Sequence, residues 1–194
     1  MKKSVLLFSL ILILGAGLSA PQFLAAQSAD NPALKTLLNN YAARDFTTGN
    51  VTKAELDLII QAGVRAPSAR NQQPWHFTVV QNQALGKQII SNLTDGNIIV
   101  VVSAEGDGKT NGTEILDCGL AVQSIYLAAQ ALGLGSRIYT GPVDSINRNL
   151  KTQLGFPRNH SAIAVIRIGR LQGGADAISS ASPRNAVDRV VTYK

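Results

Sequence analysis

The sequence is poor in the residues that build many stabilising and catalytic sites. It contains one cysteine, two histidines and one tryptophan among 194 residues. A single cysteine excludes a disulfide within the chain, and a structural zinc site built on cysteine and histidine needs four ligands. We therefore predict no metal site, and we expect the core or a partner subunit to supply the stability.

The sequence also lacks a concentrated basic region. Its formal net charge is +6, and its lysines and arginines are spread along the chain. Nucleic-acid-binding modules concentrate basic residues on one face. The distribution argues against a nucleic-acid partner and suits anionic small molecules.

The N-terminal residues have the pattern of a secretory signal peptide. Lys2 and Lys3 precede an apolar run at residues 5–14, and small residues follow it. The alternative is a retained anchor helix, but the run is shorter than the roughly 20 residues that span a membrane. We expect a Sec-type signal peptide at residues 1–29, export to the periplasm or the exterior, and no stable membrane span after cleavage. Residues 30–194, about 165 in number, suit a single domain.

Hydrophobic periodicity predicts helices alternating with strands around one sheet. The predicted helices are residues 31–43 with Asp30 as N-cap, residues 52–63 with a capping box of Thr52 and Glu55, and residues 85–93, 113–132 and 143–154. The predicted strands are residues 75–81, 98–103, 136–139, 162–168 and 187–193. The last two predicted strands are separated by a long stretch of chain, which leaves a sheet edge that can pair with a second chain.

Two glycine-containing stretches suggest nucleotide binding but depart from the required patterns. Residues 103–110, SAEGDGKT, have Ser103 where a phosphate-binding loop needs glycine, so the alternative reading is a solvated turn. Gly133 and Gly135 close a helix instead of opening one, which excludes a dinucleotide fingerprint.

No side chain is predicted to be catalytic. Cys118 lies within an apolar helix, where a cysteine is usually inert. His76 follows Trp75 on a predicted strand and is interpreted as a surface or cofactor-edge residue in preference to a base. Four carboxylates have an explanation as charges near helix starts: Glu55, Asp57, Glu114 and Asp117.

The most distinctive segment is APSARNQQPWHF at residues 66–77. We call its first part, residues 66–74, the elbow. Two prolines bracket hydroxyl and amide side chains, which can donate and accept hydrogen bonds: Ser68, Asn71, Gln72 and Gln73. Such an array suits a planar ring that carries carbonyls and ring nitrogens.

The segment resembles the signature of the nitroreductase family of FMN-dependent oxidoreductases, in which P-S-x-x-N-x-Q-P-W lies against the flavin. Three further stretches agree in order and spacing. They are ARDF at residues 43–46, DCGLAVQSIYLAAQALGLGSR at residues 117–137, and SPRNAVDRVVTYK at residues 182–194. Together the four stretches span most of the chain after residue 30.

The resemblance implies which residues bind FMN. Pro67, Ser68 and Asn71 would contact the isoalloxazine ring or the ribityl chain, with Gln73 beside them. Thr140 and Gly141 would offer backbone N–H groups near the redox-active nitrogen. Arg44 and Arg184 would bind the phosphate, a role that the planar fork of arginine suits.

The sequence departs from the family pattern at two points. Family members carry Arg-x-Ser just before the position of Arg44, whereas Asn40, Tyr41 and Ala42 stand here. A lost charge-assisted contact costs about 1.5 to 3 kcal/mol, so we expect weaker FMN binding. The basic residue that many relatives aim at the flavin carbonyl edge is also missing, and Lys87 is the candidate substitute.

The resemblance further implies a fold and an activity. We expect an α+β fold with a mixed, mainly antiparallel sheet flanked by helices, in a homodimer that exchanges its C-terminal strands. Electrons would pass by a ping-pong mechanism from NAD(P)H to a nitroaromatic or quinone-like acceptor. Because we expect the protein to be exported, another electron donor is the alternative to NAD(P)H. The alternatives are a non-enzymatic protein that stores or senses flavin, and a flavin-modifying or dehalogenating relative.

Overall fold

The computed structural model describes residues 31–106, 112–173 and 184–194. The helices are α1 Pro32–Leu38, α2 Lys53–Val64, α3 Gln83–Ile89, α4 Thr113–Ala131, α5 Val143–Asn149 and α6 Lys151–Leu154. The strands are β1 Phe46–Thr47, β2 His76–Val80, β3 Ile98–Glu105, β4 Gly135–Tyr139 and β5 His160–Leu171. Single 3₁₀ turns occur at Ala69–Asn71 and Val187–Arg189. The predicted signal peptide lies outside the described residues, among which no helix has the length and apolar character to cross a membrane.

The chain divides into two compact units, Met1–Lys35 and Thr36–Lys194. In the first unit the structure describes residues 31–35, where the Asn31 side chain accepts hydrogen bonds from the backbone N–H groups of Ala33 and Leu34. Asn31 therefore caps this helix start, a role that we predicted for Asp30, which lies outside the described residues.

The second unit is built on a five-stranded sheet in which β5 is central. β5 pairs with β3, which pairs in turn with β2, and β5 also pairs with β4 and, at its C-terminal end, with β1. All these pairings between described strands are antiparallel, where we predicted a mixed, mainly antiparallel sheet. The α+β class is confirmed, with helices on both faces of the sheet.

Alternate residues of the central strands enter two separate cores. Val100, Val102 and Ile166 face one core together with Ile59 of α2 and Ile125 of α4. Ile99, Val101 and Val165 face the other core, which Ile89 of α3 and Ile146 of α5 complete. Burial on both faces explains why β3 is a continuous β-branched run instead of an alternating pattern.

The sequence pattern at the start of α2 predicted the position of this helix correctly. The Thr52 side chain accepts a hydrogen bond from the Glu55 N–H, and the Glu55 carboxylate accepts one from the Thr52 N–H at 2.8 Å. The predicted capping box is therefore confirmed.

The predicted first helix is wrong over its second half, because α1 ends at Leu38 and not at residue 43. Beyond it, the Tyr41 carbonyl accepts a hydrogen bond from the Gln130 side chain at 2.8 Å, and the Ala43 N–H donates to the Ser136 carbonyl at 3.0 Å. These bonds hold the segment in an extended path against α4 and β4, so tertiary contacts override the helical pattern.

The predicted strand at residues 187–193 is wrong for the single chain. Residues Val187–Arg189 form one 3₁₀ turn, and Val187 and Tyr193 are 65% and 87% exposed. A strand needs a neighbouring edge to satisfy its N–H and C=O groups, and no described strand pairs with this segment. Pairing with a second chain remains a prediction.

Candidate functional site

The elbow connects α2 to β2 and has an unusual backbone. Arg70, Asn71 and Gln73 have φ angles of 53°, 57° and 48°, in the left-handed region. Asparagine tolerates this region, but for arginine and glutamine it costs of order 1–3 kcal/mol per residue. The conformation therefore persists only because other groups hold it.

Hydrogen bonds within the elbow close it into a compact loop. Ser68 Oγ accepts from the Gln73 N–H at 3.0 Å, and Gln73 Nε2 donates to Asn71 Oδ1 at 3.1 Å. The Asn71 amide nitrogen and the Gln73 side-chain oxygen take part in no hydrogen bond found in the described chain, and both residues are exposed. The exposed loop therefore carries a donor and an acceptor that no described residue engages.

A buried carboxylate on α4 also contacts the elbow. Asp117 is 2% exposed, and its Oδ1 accepts a hydrogen bond from the Ala69 N–H at 3.0 Å. Its Oδ2 is buried and has no hydrogen-bond partner among the described residues. From the sequence we interpreted Asp117 as a charge near a helix start. The pattern that could have indicated a structural role is a carboxylate among apolar neighbours in a buried helix.

The structure places the elbow and the Thr140–Gly141 loop at the same end of the sheet. His76, which follows the elbow, is opposite Ser103 of β3, which is opposite Ala162 of β5. β4 ends nearby at Tyr139, opposite Val165. Three strand spacings separate β2 from β4, or about 14 Å. Gly141 is exposed and has open space beside its Cα.

Arg44 lies near the opposite end of the sheet. It precedes β1, in which Thr47 is opposite Arg170 of β5. Ala162 and Arg170 are eight residues apart on β5, which corresponds to about 27 Å at the usual rise of a strand. Arg44 and the elbow of one chain are therefore far apart.

Arg184 lies near the same region as Arg44. Burial raises the pKa of the Tyr126 phenol on α4, while a hydrogen bond with Gln130 and the charge of Arg184 act in the opposite direction. Because salt screens a charge beyond about 10 Å, Arg184 lies in the neighbourhood of Tyr126. Gln130, one turn further along α4, also holds Tyr41 just ahead of Arg44. Both predicted phosphate-binding arginines therefore lie near the C-terminal half of α4.

A polar cleft adjoins the elbow and has a volume of about 530 Å³. It is lined by Gln72, Pro74, Glu105, Gly106, Glu114 and His160. The His160 ring lies edge-on to that of His76 at 6.0 Å, and its Nδ1 is 3.4 Å from Ser103 Oγ. Burial, and then the charge of His76, lower the pKa of His160, so it favours the neutral form. The cleft offers room for a small molecule beside the predicted cofactor site.

Lys87 lies away from the elbow of its own chain, and its role at the flavin edge remains a prediction. Its Nζ pairs with Asp95 Oδ1 at 2.8 Å. Asp95 precedes β3, whose first residues pair with the last residues of β2, and the elbow precedes the other end of β2. The ion pair therefore lies at the far end of that strand from the elbow.

The remaining candidate sites add no catalytic group. Cys118 is buried, and burial together with the charges of Asp117 and Glu114 raises its pKa to about 12. Ser103 is a buried member of β3, while residues 107–110 of the stretch that resembled a phosphate loop lie outside the described residues. In the described part of the chain no group of histidine, cysteine and carboxylate side chains could hold a metal ion.

Most of the chain matches a known family. The model of the nitroreductase family matches residues 38–105 and 91–170. A protein of Archaeoglobus fulgidus with the provisional name NADH dehydrogenase/NAD(P)H nitroreductase is 30% identical over 146 residues, which cover 70% of this chain and 83% of that protein. The FMN reductase [NAD(P)H] of Bacillus subtilis is 28% identical over 189 residues, covering 84% and 75% of the two chains. The chain belongs to the nitroreductase family.

Solved structures agree with this assignment. A provisionally named nitroreductase of Desulfovibrio desulfuricans, crystallised in complex with FMN, superposes with a TM-score of 0.70 at 25% identity, over 85% of this chain and 98% of that chain. The fold is also shared by the nitroreductase with bound FMN of Desulfitobacterium hafniense, with a TM-score of 0.68 at 24% identity over 84% and 98% of the chains. The predicted nitroreductase-like fold is confirmed.

Proposed function

We propose that this protein is an FMN-dependent oxidoreductase. It would pass electrons from NAD(P)H, or another donor, to nitroaromatic or quinone-like acceptors, with donor and acceptor using the site in turn. The observation that carries the proposal is the elbow, an exposed loop of amides held in a left-handed conformation at the end of the sheet. The names and the bound FMN of the relatives support the same cofactor.

The residues of the elbow fit a flavin ring. The isoalloxazine edge alternates carbonyl oxygens with ring nitrogens, so it needs both donors and acceptors. Asn71 and Gln73 are both exposed, and Asn71 offers an amide nitrogen and Gln73 an oxygen that no described residue engages. The open space beside Gly141 would allow close approach of a ring to the backbone. Pro67 and Ser68 would complete the contact from the start of the elbow.

FMN, when bound, supplies the redox chemistry by taking two electrons from a donor and releasing them to an acceptor. The protein contributes binding and orientation. Arg44 and Arg184 would hold the phosphate, since a guanidinium fork matches phosphate oxygens, and the cleft beside the elbow would admit the second substrate. We assign no catalytic side chain.

We further propose that the working unit is a homodimer with FMN between the subunits. About 27 Å of β5 separates the elbow of one chain from its Arg44, so a partner's residues would bring the two halves of a site together. Leu116 and Leu120 of α4 are 65% and 37% exposed, and Val190 of the C-terminal segment is 64% exposed. Exposed apolar residues on the longest helix and at the C-terminus suit burial in such an interface.

The test is the visible spectrum of the purified protein with added FMN, followed under anaerobic conditions. We expect a bound flavin spectrum that NADH or NADPH bleaches, and that a nitroaromatic or quinone restores. Bound flavin that no donor bleaches would support a storage or sensing protein instead. A protein that binds no FMN would refute the proposal.

We also propose export through a Sec-type signal peptide at residues 1–29. The charged start and the short apolar run support this. Cell fractionation and the mass of the purified chain test it, because export predicts a product that has lost about the first 29 residues. A full-length product in the cytoplasmic fraction would refute it.

A further inference from the structure

We propose that Asp117 is a positioning residue, whose buried carboxylate on α4 holds the elbow in the conformation that presents its amides to the cofactor. The inference rests on the proposed flavin site. The hydrogen bond from the Ala69 N–H to Asp117 Oδ1, 3.0 Å long, joins residues 48 positions apart. It links the elbow to the central helix of the fold.

The bond acts at the start of the strained segment. Ala69 begins the 3₁₀ turn, and the left-handed residues Arg70 and Asn71 follow it directly. Ser68 is the N-cap of this turn, yet its side chain makes no capping bond there because Ser68 Oγ accepts from the Gln73 N–H. The acceptor for the Ala69 N–H therefore comes from outside the loop, and Asp117 supplies it.

The anchor itself is rigid. Asp117 is 2% exposed, and its neighbours Cys118 and Ala121 on α4 are fully buried. A carboxylate in such a position is costly to bury, and Oδ2 gains no hydrogen bond from the described residues in return. Global stability alone would favour an apolar residue here. The location of the carboxylate is explained by what it does for the elbow.

An acceptor at this position is what the elbow requires, and the negative charge is not. Asp117→Asn keeps an oxygen within reach of the Ala69 N–H, whereas Asp117→Leu removes the acceptor and keeps the volume. Asp117→Ala removes both. Asp57→Ala is the matched control, because Asp57 is an exposed aspartate on α2 whose partner is Lys53.

Three measurements separate positioning from general stability. Trypsin cleavage after Arg70 in the flavin-free protein reports opening of the elbow, with cleavage after Arg148 on α5 as the internal reference. The urea midpoint reports global unfolding. Titration with FMN gives the Kd.

For Asp117→Leu we expect cleavage after Arg70 to rise at least tenfold and the FMN Kd to rise about tenfold, the effect of losing one hydrogen bond. Cleavage after Arg148 and the urea midpoint should stay unchanged or improve. Asp117→Asn should remain within about threefold of the wild type in both elbow measurements, a difference of less than one hydrogen bond. Asp57→Ala should match the wild type.

Wild-type cleavage and Kd in both Asp117→Leu and Asp117→Ala would overturn the inference. So would an Asp117→Asn protein as open as Asp117→Leu, because the acceptor would then not be the cause. If Asp117→Leu opens at Arg70 but the wild type binds no FMN, the anchoring stands and the proposed cofactor fails.

Discussion

A buried arginine without a carboxylate partner makes the sharpest stability prediction. Arg167 of β5 is 3% exposed. Its Nε donates to Asn97 Oδ1 at 2.9 Å, its Nη2 donates to Thr94 Oγ1 at 2.8 Å, and the guanidinium lies 4.0 Å from the centre of the Phe46 ring. Burial lowers its pKa, and no ion pair involves it in the described part of the chain. Among the described residues, the groups that accept hydrogen bonds from this buried charge are therefore neutral.

Asn97→Ala should lower the free energy of unfolding more than Arg167→Met, the substitution that removes the charge itself. The substitution loses a hydrogen bond to a charged donor, about 1.5–3 kcal/mol, and the bond from Asn97 Nδ2 to the Thr47 carbonyl, about 1 kcal/mol. We expect a loss of about 3–4 kcal/mol in the free energy of unfolding, because a buried charge is left short of partners. Arg167→Met removes charge and donors together and should cost about 1–2 kcal/mol.

Urea denaturation with linear extrapolation measures these differences. At a slope of about 1–3 kcal/mol per molar urea, Asn97→Ala should shift the midpoint by about 1–4 M. In the Arg167→Met background its cost should fall to about 1–2 kcal/mol, because the two residues are coupled. Asn149→Ala, an exposed asparagine on α5, is the control and should change stability by about 0.5 kcal/mol or less. A larger loss from Arg167→Met than from Asn97→Ala, or equal costs of Asn97→Ala in both backgrounds, would refute the reasoning.

Three further predictions concern single side chains. Burial alone would raise the pKa of Glu55, but hydrogen bonds from Arg170 and Thr52 outweigh burial and lower that pKa. The stability that Glu55 contributes is therefore complete above its ordinary pKa and is lost as the pH falls through the lowered value. Glu55→Gln should flatten the acid side of a plot of urea midpoint against pH, and an unaltered slope would contradict this. With a pKa of about 12, Cys118 is a thiolate in about one molecule in ten thousand at pH 8. A disulfide reagent should therefore label Cys118 only after unfolding, and rapid labelling of the native protein would contradict its burial. Arg44→Gln should raise the FMN Kd by about one to two decades while Arg148→Gln leaves it unchanged, and equal effects would contradict a phosphate contact.

Short-range patterns in the sequence determined much of the fold. The capping box of α2, the buried β-branched run of β3 and the apolar α4 each depend on neighbours within one or two turns of the chain, so their sequence signals are strong. The elbow was recognisable for the same reason, since its prolines, hydroxyl and amides lie within nine consecutive residues.

Other features were decided by contacts between residues far apart in the chain. Tyr41 and Ala43 left the helical path because of bonds to α4 and β4, and the C-terminal segment lacked an edge with which to form its predicted strand. Asp117 looked like a helix-start charge until the structure showed its oxygen against the Ala69 N–H. The chemistry of the elbow could thus be read from its residues alone. Its anchor, and its distance from Arg44, depend on strand register and helix packing, which bring together groups that no local pattern relates.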